Sequence, residues 1–273
     1  MTRRSIDKAV ILAAGLGNRI SKASAGTPKP LLPIDGKDTT FLDWHLRALA
    51  KAGVKEIYIV GNKVTYEAKL VAREEVAGSA RVGWILNPTE DISTSGSGHS
   101  AWYAWRDERD ILDGKSRVVL MDADIVYEPR IYDLLKTEGS SRSKSLVCAD
   151  FRQTDEEVLV FCEEASPTVA RLHGKGLQGT PLADGLVCRG EATGILLLEP
   201  GDHAVVRQVT DWVIRFSTAK TRSEHEDITQ RMMTLGRVEL VPFGRDLLFM
   251  ECDTPDEYTL LTTEMYPKIA ARL

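Results

Sequence analysis

At 273 residues with 43% hydrophobic content, the chain can bury a sizeable core. A formal net charge of −5 argues against a general nucleic-acid surface, so clustered basic residues act locally. No apolar run approaches the length of a membrane span, and the basic start M-T-R-R-S-I-D-K leads into a first strand rather than a signal peptide, so a cytoplasmic protein is expected.

The apolar run from Ala9 to Ala13 reads as a buried parallel strand within 8–14, and it runs into Gly15-Leu16-Gly17-Asn18-Arg19. Small residues let the backbone approach a ligand, and successive N–H groups before a helix start make an anion cradle. Arg19 adds a planar fork for phosphate oxygens, and Lys29 a compact positive charge on a segment stiffened by Pro28 and Pro30. The stretch therefore reads as a polyphosphate holder. It is neither a dinucleotide fingerprint, since Ile20 stands where the third glycine belongs, nor a Walker loop, since no Gly-Lys-Ser/Thr follows.

Residues 41–53 form an amphipathic helix with a glycine stop, 56–60 a second strand, 65–77 a helix, 81–86 a third strand and 98–109 a helix. Residues 116–121 make a fourth buried strand ending at Asp122-Ala123-Asp124. Such alternation predicts an α/β fold, a doubly wound, mostly parallel Rossmann-like sheet with ligands at the strands' carboxyl ends. The pattern then changes to strands at 145–151, 157–163, 168–172 and 193–199, an antiparallel insertion in which 157–172 form a hairpin. Helices near 203–217 and 227–235, a strand at 238–242 and a helix over 255–273 complete the chain. Cys148, Cys162, Cys188 and Cys252 have no C-x-x-C or zinc-like spacing and read as reduced core residues. His45, His99, His173, His203 and His225 lack ligand spacing and read as surface or packing groups.

A-A-G-L-G-N-R at 13–19 followed by P-K-P-L-L-P-I at 28–34 resembles the sugar-phosphate nucleotidyltransferase (nucleoside-diphosphate-sugar pyrophosphorylase) superfamily. Asn18 stands where that family commonly has Thr or Ser, and it too can hydrogen-bond a phosphate. The resemblance implies nucleotide binding by Leu12, Ala13, Ala14, Gly15, Gly17 and Asn18, with Arg19 and Lys29 as catalytic cations. It also implies magnesium. D-A-D-I-V-Y-E supplies Asp124 as one ligand, and M-E-C-D-T-P-D-E-Y, like the family's E-x-D-T-P-E-D, supplies Asp253. Asp122 is then a supporting group on the nucleotide side. A divalent cation neutralises charge during nucleotidyl transfer, and magnesium takes one or two carboxylates plus phosphates. An acceptor that is itself a phosphate or phosphonate needs no general base, which suits the lack of a Ser, His or Cys triad.

The loop N-P-T-E-D-I-S-T-S-G-S-G-H-S at 87–100 contains no Gln and resembles the cytidylyltransferase branch acting on phosphocholine, inositol phosphate or aminoalkylphosphonates. That implies base and ribose contacts from Asn87, Ser95, Gly96 and Gly98. L-H-G-K-G-L, R-G-E-A-T-G-I and E-H-E-D-I resemble further segments of this branch. They put Lys175 on the acceptor's phosphate and Glu191, Glu226 and Asp227 at its polar or cationic end. His225 replaces the family's aromatic residue, which leaves Trp102, Tyr103, Trp105 and Trp212 as candidate ring faces for a cation.

The implied whole is one domain, 1–273, with a nucleotide-binding half to about 140, an acceptor-binding half over about 141–235, and a closing segment, 236–273, that carries the second metal carboxylate. The sequence contains no hexapeptide repeat, so an attached acetyltransferase activity is not expected. The implied reaction moves CMP from CTP to a small phosphorylated alcohol or phosphonate and releases pyrophosphate. The alternatives are a hexose-1-phosphate nucleotidyltransferase using UTP, dTTP or GTP, and a non-catalytic nucleotide-binding homologue. Expected partners are CTP or another NTP and the acceptor, with no nucleic acid; a homodimer stays open.

Overall fold

Strand β1 (Lys8–Ala13) is buried along its whole length because alternate residues serve opposite faces. Ala9, Ile11 and Ala13 belong to one core cluster, and Val10 and Leu12 to another. A strand apolar on both sides belongs inside a sheet covered on both faces. The computed structural model describes residues 4–15, 17, 20, 27–67, 74–89, 95–136, 141–151, 157–216 and 223–272.

Parallel to β1 lie β2 (Glu56–Gly61) on one side and β4 (Val118–Asp122) on the other, and β3 (Arg81–Leu86) extends the sheet beyond β2. Helix α1 (Phe41–Lys51), opened by a Thr40–Asp43 capping box, lays Leu42, Leu46 and Leu49 on the first face. After the short helix α2 (Lys63–Glu67), α3 (Ser97–Trp105) lays Ala101, Ala104 and Trp105 on the second. Because β1 connects to neighbours on both sides, its carboxyl end is the point where the strand order reverses and a ligand crevice opens.

Past β4 come a short strand β5 (Ile125–Tyr127) and helix α4 (Ile131–Leu135). Strands β6 (Ser143–Cys148), β7 (Leu159–Glu163), β8 (Ala170–Gly174) and β9 (Leu186–Leu198) follow. Helices α5 (His203–Arg215) and α6 (His225–Thr234) pack on the second face ahead of β10 (Val238–Phe243). The sheet runs β10-β6-β9-β4-β1-β2-β3, with β9 antiparallel to both β4 and β6. The front part of the 13-residue β9 pairs with β7, and β7 with β8, forming the antiparallel extension. Finally β11 (Phe249–Glu251) pairs antiparallel with β5, and helices α7 (Pro255–Leu260) and α8 (Tyr266–Ala270) flank a π-helical turn at Leu261–Met265. Among the described residues no helix is long and apolar enough to cross a membrane.

Several boundaries differ from the sequence expectation. Of the helix expected over 65–77, residues 65–67 lie in α2 and 74–77 in a 3-10 turn, and 68–73 lie outside the described residues. The strand expected at 145–151 starts at Ser143 and stops at Cys148. β9 begins at Leu186, well before 193, because half-buried residues hide its alternation and the pairing with β7 extends it. β5 and β11, three residues each, are too short for periodicity to reveal. The four cysteines are free thiols; Cys162 and Cys252 are buried as the core reading expects, whereas Cys148 and Cys188 are half-buried.

One carboxylate joins two helix starts. Glu224 accepts the Asp227 amide in the capping box of α6 and also the Ser97 amide and hydroxyl of α3, each of the latter at 2.8 Å. Replacing Glu224 with Ala should lower unfolding free energy by about 1–3 kcal/mol, the sum of a lost cap and a stranded donor. Urea unfolding checks this, and a shift within experimental error would show that the two starts hold without it.

Candidate active site

Lys29 is carried by a 3-10 turn, Lys29–Leu31, entered through Pro28 and stiffened by Pro30. The turn is anchored by the Pro33–Thr40 bridge and by the Tyr258 hydroxyl, which donates to the Pro33 carbonyl at 2.6 Å. Gly17, at φ +61°, lies so near that an added Cβ would stand 3.0 Å from the Lys29 Cβ, so this position needs glycine twice over. Held in this way, the buried Lys29 Nζ donates to Asp124 Oδ2 and to Asp253 Oδ1, each at 2.8 Å. Burial would lower its pKa, but the charges of Asp124 and Asp253 outweigh that and hold it well above the ordinary lysine value.

Strand alternation delivers the carboxylates in pairs. Asp122 and Asp124 flank the buried Ala123, and Glu251 and Asp253 flank the buried Cys252. The β5–β11 register sets Ile125 opposite Glu251, and the Cys252 amide donates to the Asp124 carbonyl at 3.0 Å. Asp253 is further fixed by the Glu257 carboxylate, which accepts its amide at 2.7 Å and caps α7. Asp124, Glu251 and Asp253 bring oxygens within 4.8 Å of one another. Desolvation in the cleft, together with the charges of Asp124 and Asp253, pushes the Glu251 carboxyl well above the usual range. An all-oxygen donor set of this kind fits magnesium.

Asp122 turns instead to α6, where His225 Nε2 meets its Oδ2 at 2.8 Å and Glu226 lies 3.7 Å from His225 Nδ1. His173 Nε2 contacts the Glu226 carbonyl at 2.7 Å, docking β8 on this helix start. Lys175 is exposed, and its charge reaches both Glu191 and Glu226. Burial, then repulsion from Glu157, raises the Glu191 carboxyl from 4.5 to about 7, with Lys175 opposing. Asp227 is exposed and accepts the Glu224 amide at 2.9 Å, serving its own helix start.

On the nucleotide side, Asn62 donates to the Ala14 carbonyl at 2.8 Å and caps α2. Leu12 and Ala13 bury their side chains in the core, so only their backbone is available to a ligand, whereas Gly15 is exposed with open space around it. Asn87 donates to Ser95 Oγ at 3.3 Å and Ser100 Oγ at 3.1 Å. Gly96 and Gly98 pack on the chain ahead of α6, where a Gly96 side chain would collide with the Ser223 carbonyl. Leu16, Asn18 and Arg19 lie outside the described residues.

Three of the four candidate ring faces are otherwise engaged, and the half-buried Tyr103 meets Trp102 edge-on with ring centroids 5.0 Å apart. Trp105 is buried, Arg106 lies over Trp102 at 4.6 Å, and Arg231 lies over Trp212 at 4.2 Å. Sequence reasoning missed Glu251, although the alternation in M-E-C-D carries it to the side of Asp253. It also read His225 as packing, because its partner Asp122 is distant in sequence.

Residues 9–184 match the MobA-like NTP transferase domain. CMP-5'-(3-aminopropyl)phosphonate synthase of Streptomyces rubellomurinus is 35% identical over 128 residues, 47% of this chain and 19% of that protein. N-acetylmuramate alpha-1-phosphate uridylyltransferase of Neisseria meningitidis is 50% identical over 89 residues, 33% of this chain and 38% of that one. The chain thus spans well under half the length of these curated relatives. The inositol-1-phosphate CTP transferase of T. maritima superposes with a TM-score of 0.72 at 17% identity, covering 96% of this chain and 97% of that structure, a likeness of fold.

Glu191 binds its proton more tightly in the folded chain, at about 7, than at its ordinary value of 4.5. Between those values the folded state holds more protons than the unfolded state, so this residue makes stability fall as pH rises through the window. Glu191→Gln should flatten that decline. Denaturation midpoints at about pH 5 and about pH 8 test it; an equal drop in variant and wild type would assign the slope elsewhere.

Proposed function

Because the chain belongs to the MobA-like NTP transferase family, we propose that it is a magnesium-dependent cytidylyltransferase. It moves CMP from CTP to a small phosphorylated alcohol or phosphonate and releases pyrophosphate. The observation that carries this reading is the Lys29 ammonium held at 2.8 Å from both Asp124 and Asp253, beside the glycine turn that ends β1. Cytosine as the base is supported by the resemblance of the 87–100 loop and by the relative that makes a CMP-phosphonate.

In this mechanism an anionic oxygen of the acceptor attacks the α-phosphorus. The bond to the bridging oxygen of pyrophosphate breaks, and its electron pair leaves with that oxygen. No proton has to move, so the chain's task is positioning and charge stabilisation. Lys29 has three N–H donors; the two carboxylates take two of them, and the third serves a phosphate oxygen. Arg19 holds the outer phosphates from the glycine turn, with Leu12, Ala13, Ala14, Gly15, Gly17 and Asn18 offering backbone or side-chain donors. Asp124 and Asp253, with Glu251 beside them, would hold magnesium, which would neutralise charge on the phosphates. Asn87, Ser95, Gly96 and Gly98 border the base, Asp122 supports the nucleotide side, and Lys175, Glu191 and Glu226 border the acceptor, with Asp227 serving the helix start that carries Glu226. Residues 1–273 act as one domain, and the sheet supports this by joining strands from both halves.

A second reading, a sugar-1-phosphate uridylyltransferase, is favoured by the 50% identity over 89 residues to the N-acetylmuramate uridylyltransferase. Pyrophosphate release measured with CTP, UTP, dTTP, GTP and ATP separates the two, and turnover with UTP but not CTP sinks the cytidylyl reading. No turnover with any of them would favour a nucleotide-binding homologue.

Asp124→Asn and Asp253→Asn should fold normally yet lose well over about tenfold in turnover at saturating magnesium. A variant that keeps more than that has lost no ligand. Lys29→Ala should lower kcat, whereas Arg19→Ala should chiefly raise the KM for CTP; an unchanged KM in the latter contradicts its assignment to the outer phosphates.

A further inference from the structure

His225 opens α6 and is buried, yet both of its ring nitrogens face carboxylates. Nε2 lies 2.8 Å from Asp122 Oδ2, and Nδ1 lies 3.7 Å from Glu226 Oε2. Neither Nδ1 nor that glutamate oxygen has a hydrogen-bond partner among the described residues, although both atoms are buried. Asp122 is fixed on its other flank as well. Gly194 approaches it at φ +69°, and a side chain there would collide with the carboxylate. Asp122 also feels the charges of Asp124 and Glu226, and Glu226 feels that of Lys175. From Asp122 onward carboxylates and cations alternate, His225 between Asp122 and Glu226 and Lys175 beyond Glu226, while Asp124 repels Asp122. Burial disfavours a charged imidazole, but Asp122 and Glu226 outweigh it and raise the pKa of His225 above the ordinary value.

We propose that His225 is a positioning residue that joins the two ends of the cleft, aiming Glu226 at the far group of the acceptor and holding Asp122 beneath the Asp124–Asp253 pair. The proposal rests on the nucleotidyltransferase reading of this site, but not on cytosine being the base. It also narrows the acceptor class. His225 faces Glu226 at 3.7 Å, while Asp227 is engaged by its own helix start. The half-buried indole of Trp102 and the exposed indole of Trp212 already carry arginines. Without an aromatic cage or an unbalanced pair of acids, a quaternary ammonium has little to bind it. A carboxylate with an unpartnered oxygen instead suits a far group that donates N–H or O–H, a primary ammonium or a hydroxyl.

The test is steady-state kinetics with 2-aminoethylphosphonate, inositol phosphate and phosphocholine as acceptors, in wild type, His225→Leu and His225→Gln. Wild type should prefer one of the first two over phosphocholine by about tenfold or more in kcat/KM. His225→Leu should raise the KM of the preferred acceptor about tenfold and lower kcat, leaving the nucleotide KM within about twofold. His225→Gln, which keeps one N–H for Asp122, should recover most of kcat but not the acceptor KM; it carries the test alone if the leucine variant does not fold. Acceptor KM unchanged in the folded variants, nucleotide and acceptor KM rising together, or phosphocholine as the best acceptor each overturn the proposal. The series uses whichever nucleotide wild type turns over, so a preference for UTP removes the cytidylyl reading and leaves this one standing. Absence of turnover with every nucleotide overturns both.

Discussion

The Lys29 ammonium stands 2.8 Å from Asp124 and from Asp253, with Glu251 close by, in a place partly withdrawn from water. Like charges so near one another repel strongly, and a buried cation without its partners is costly by several kcal/mol, roughly 3–5. Each side of the contact therefore requires the other. Much of the surrounding structure serves to keep them together. The proline-bracketed turn limits where Lys29 can go, Gly17 makes room for its side chain, and Tyr258 ties the same segment to the C-terminal helices. Opposite, the β5–β11 ribbon brings residues from distant parts of the chain into register, so that a strand pairing of three residues fixes both carboxylates.

The acids around the cleft divide by what they serve. Glu224, Asp227 and Glu257 accept backbone amides and hold the starts of α3, α6 and α7. Asp124, Glu251 and Asp253 face Lys29, while Asp122 and Glu226 face His225. The first set fixes the backbone that carries the second. Because α3 and α6 begin against one another through Glu224, Ser97 and Gly98, the loop beside the proposed base site cannot shift without moving the helix start that bears His225 and Glu226. Positioning thus descends from main-chain hydrogen bonds, which are directional, to side-chain charges, which are less so.

The fold was legible in the sequence for physical reasons, and the family resemblance pointed to Asp124 and Asp253, which the structure brings together on Lys29. β1, β2 and β4 are long apolar runs, and α1 carries a clear apolar stripe with a capping signal and a glycine stop, so local pattern and final structure agree. Asp124 and Asp253 stand at strand ends within distinctive segments. What stayed hidden depends on contacts between distant residues. Nothing local marks His225 as the partner of Asp122, or Glu224 as the cap of a helix that begins far earlier in the chain. β9 shows the same limit: residues 186–192 are half-buried and mixed in polarity, and only the presence of β7 makes them a strand. Asp227 shows the converse, since an acid at a helix start resembles a ligand-facing group in sequence and lies on its own cap in space.

β9 also sets the order in which the sheet can be completed. It lies between β4 and β6, and no direct pairing joins those two. A nascent chain that has emerged only as far as residue 185 has made both neighbours, yet each presents an unpaired edge with a full row of donors and acceptors. Such edges are templates for association with other chains. The long strand is therefore the keystone of assembly: its arrival closes two edges at once and, through its front part, gives β7 a partner beyond β8. Between synthesis of β6 and insertion of β9 the facing edges of β4 and β6 stand open together, and β10 closes the other edge of β6 only later.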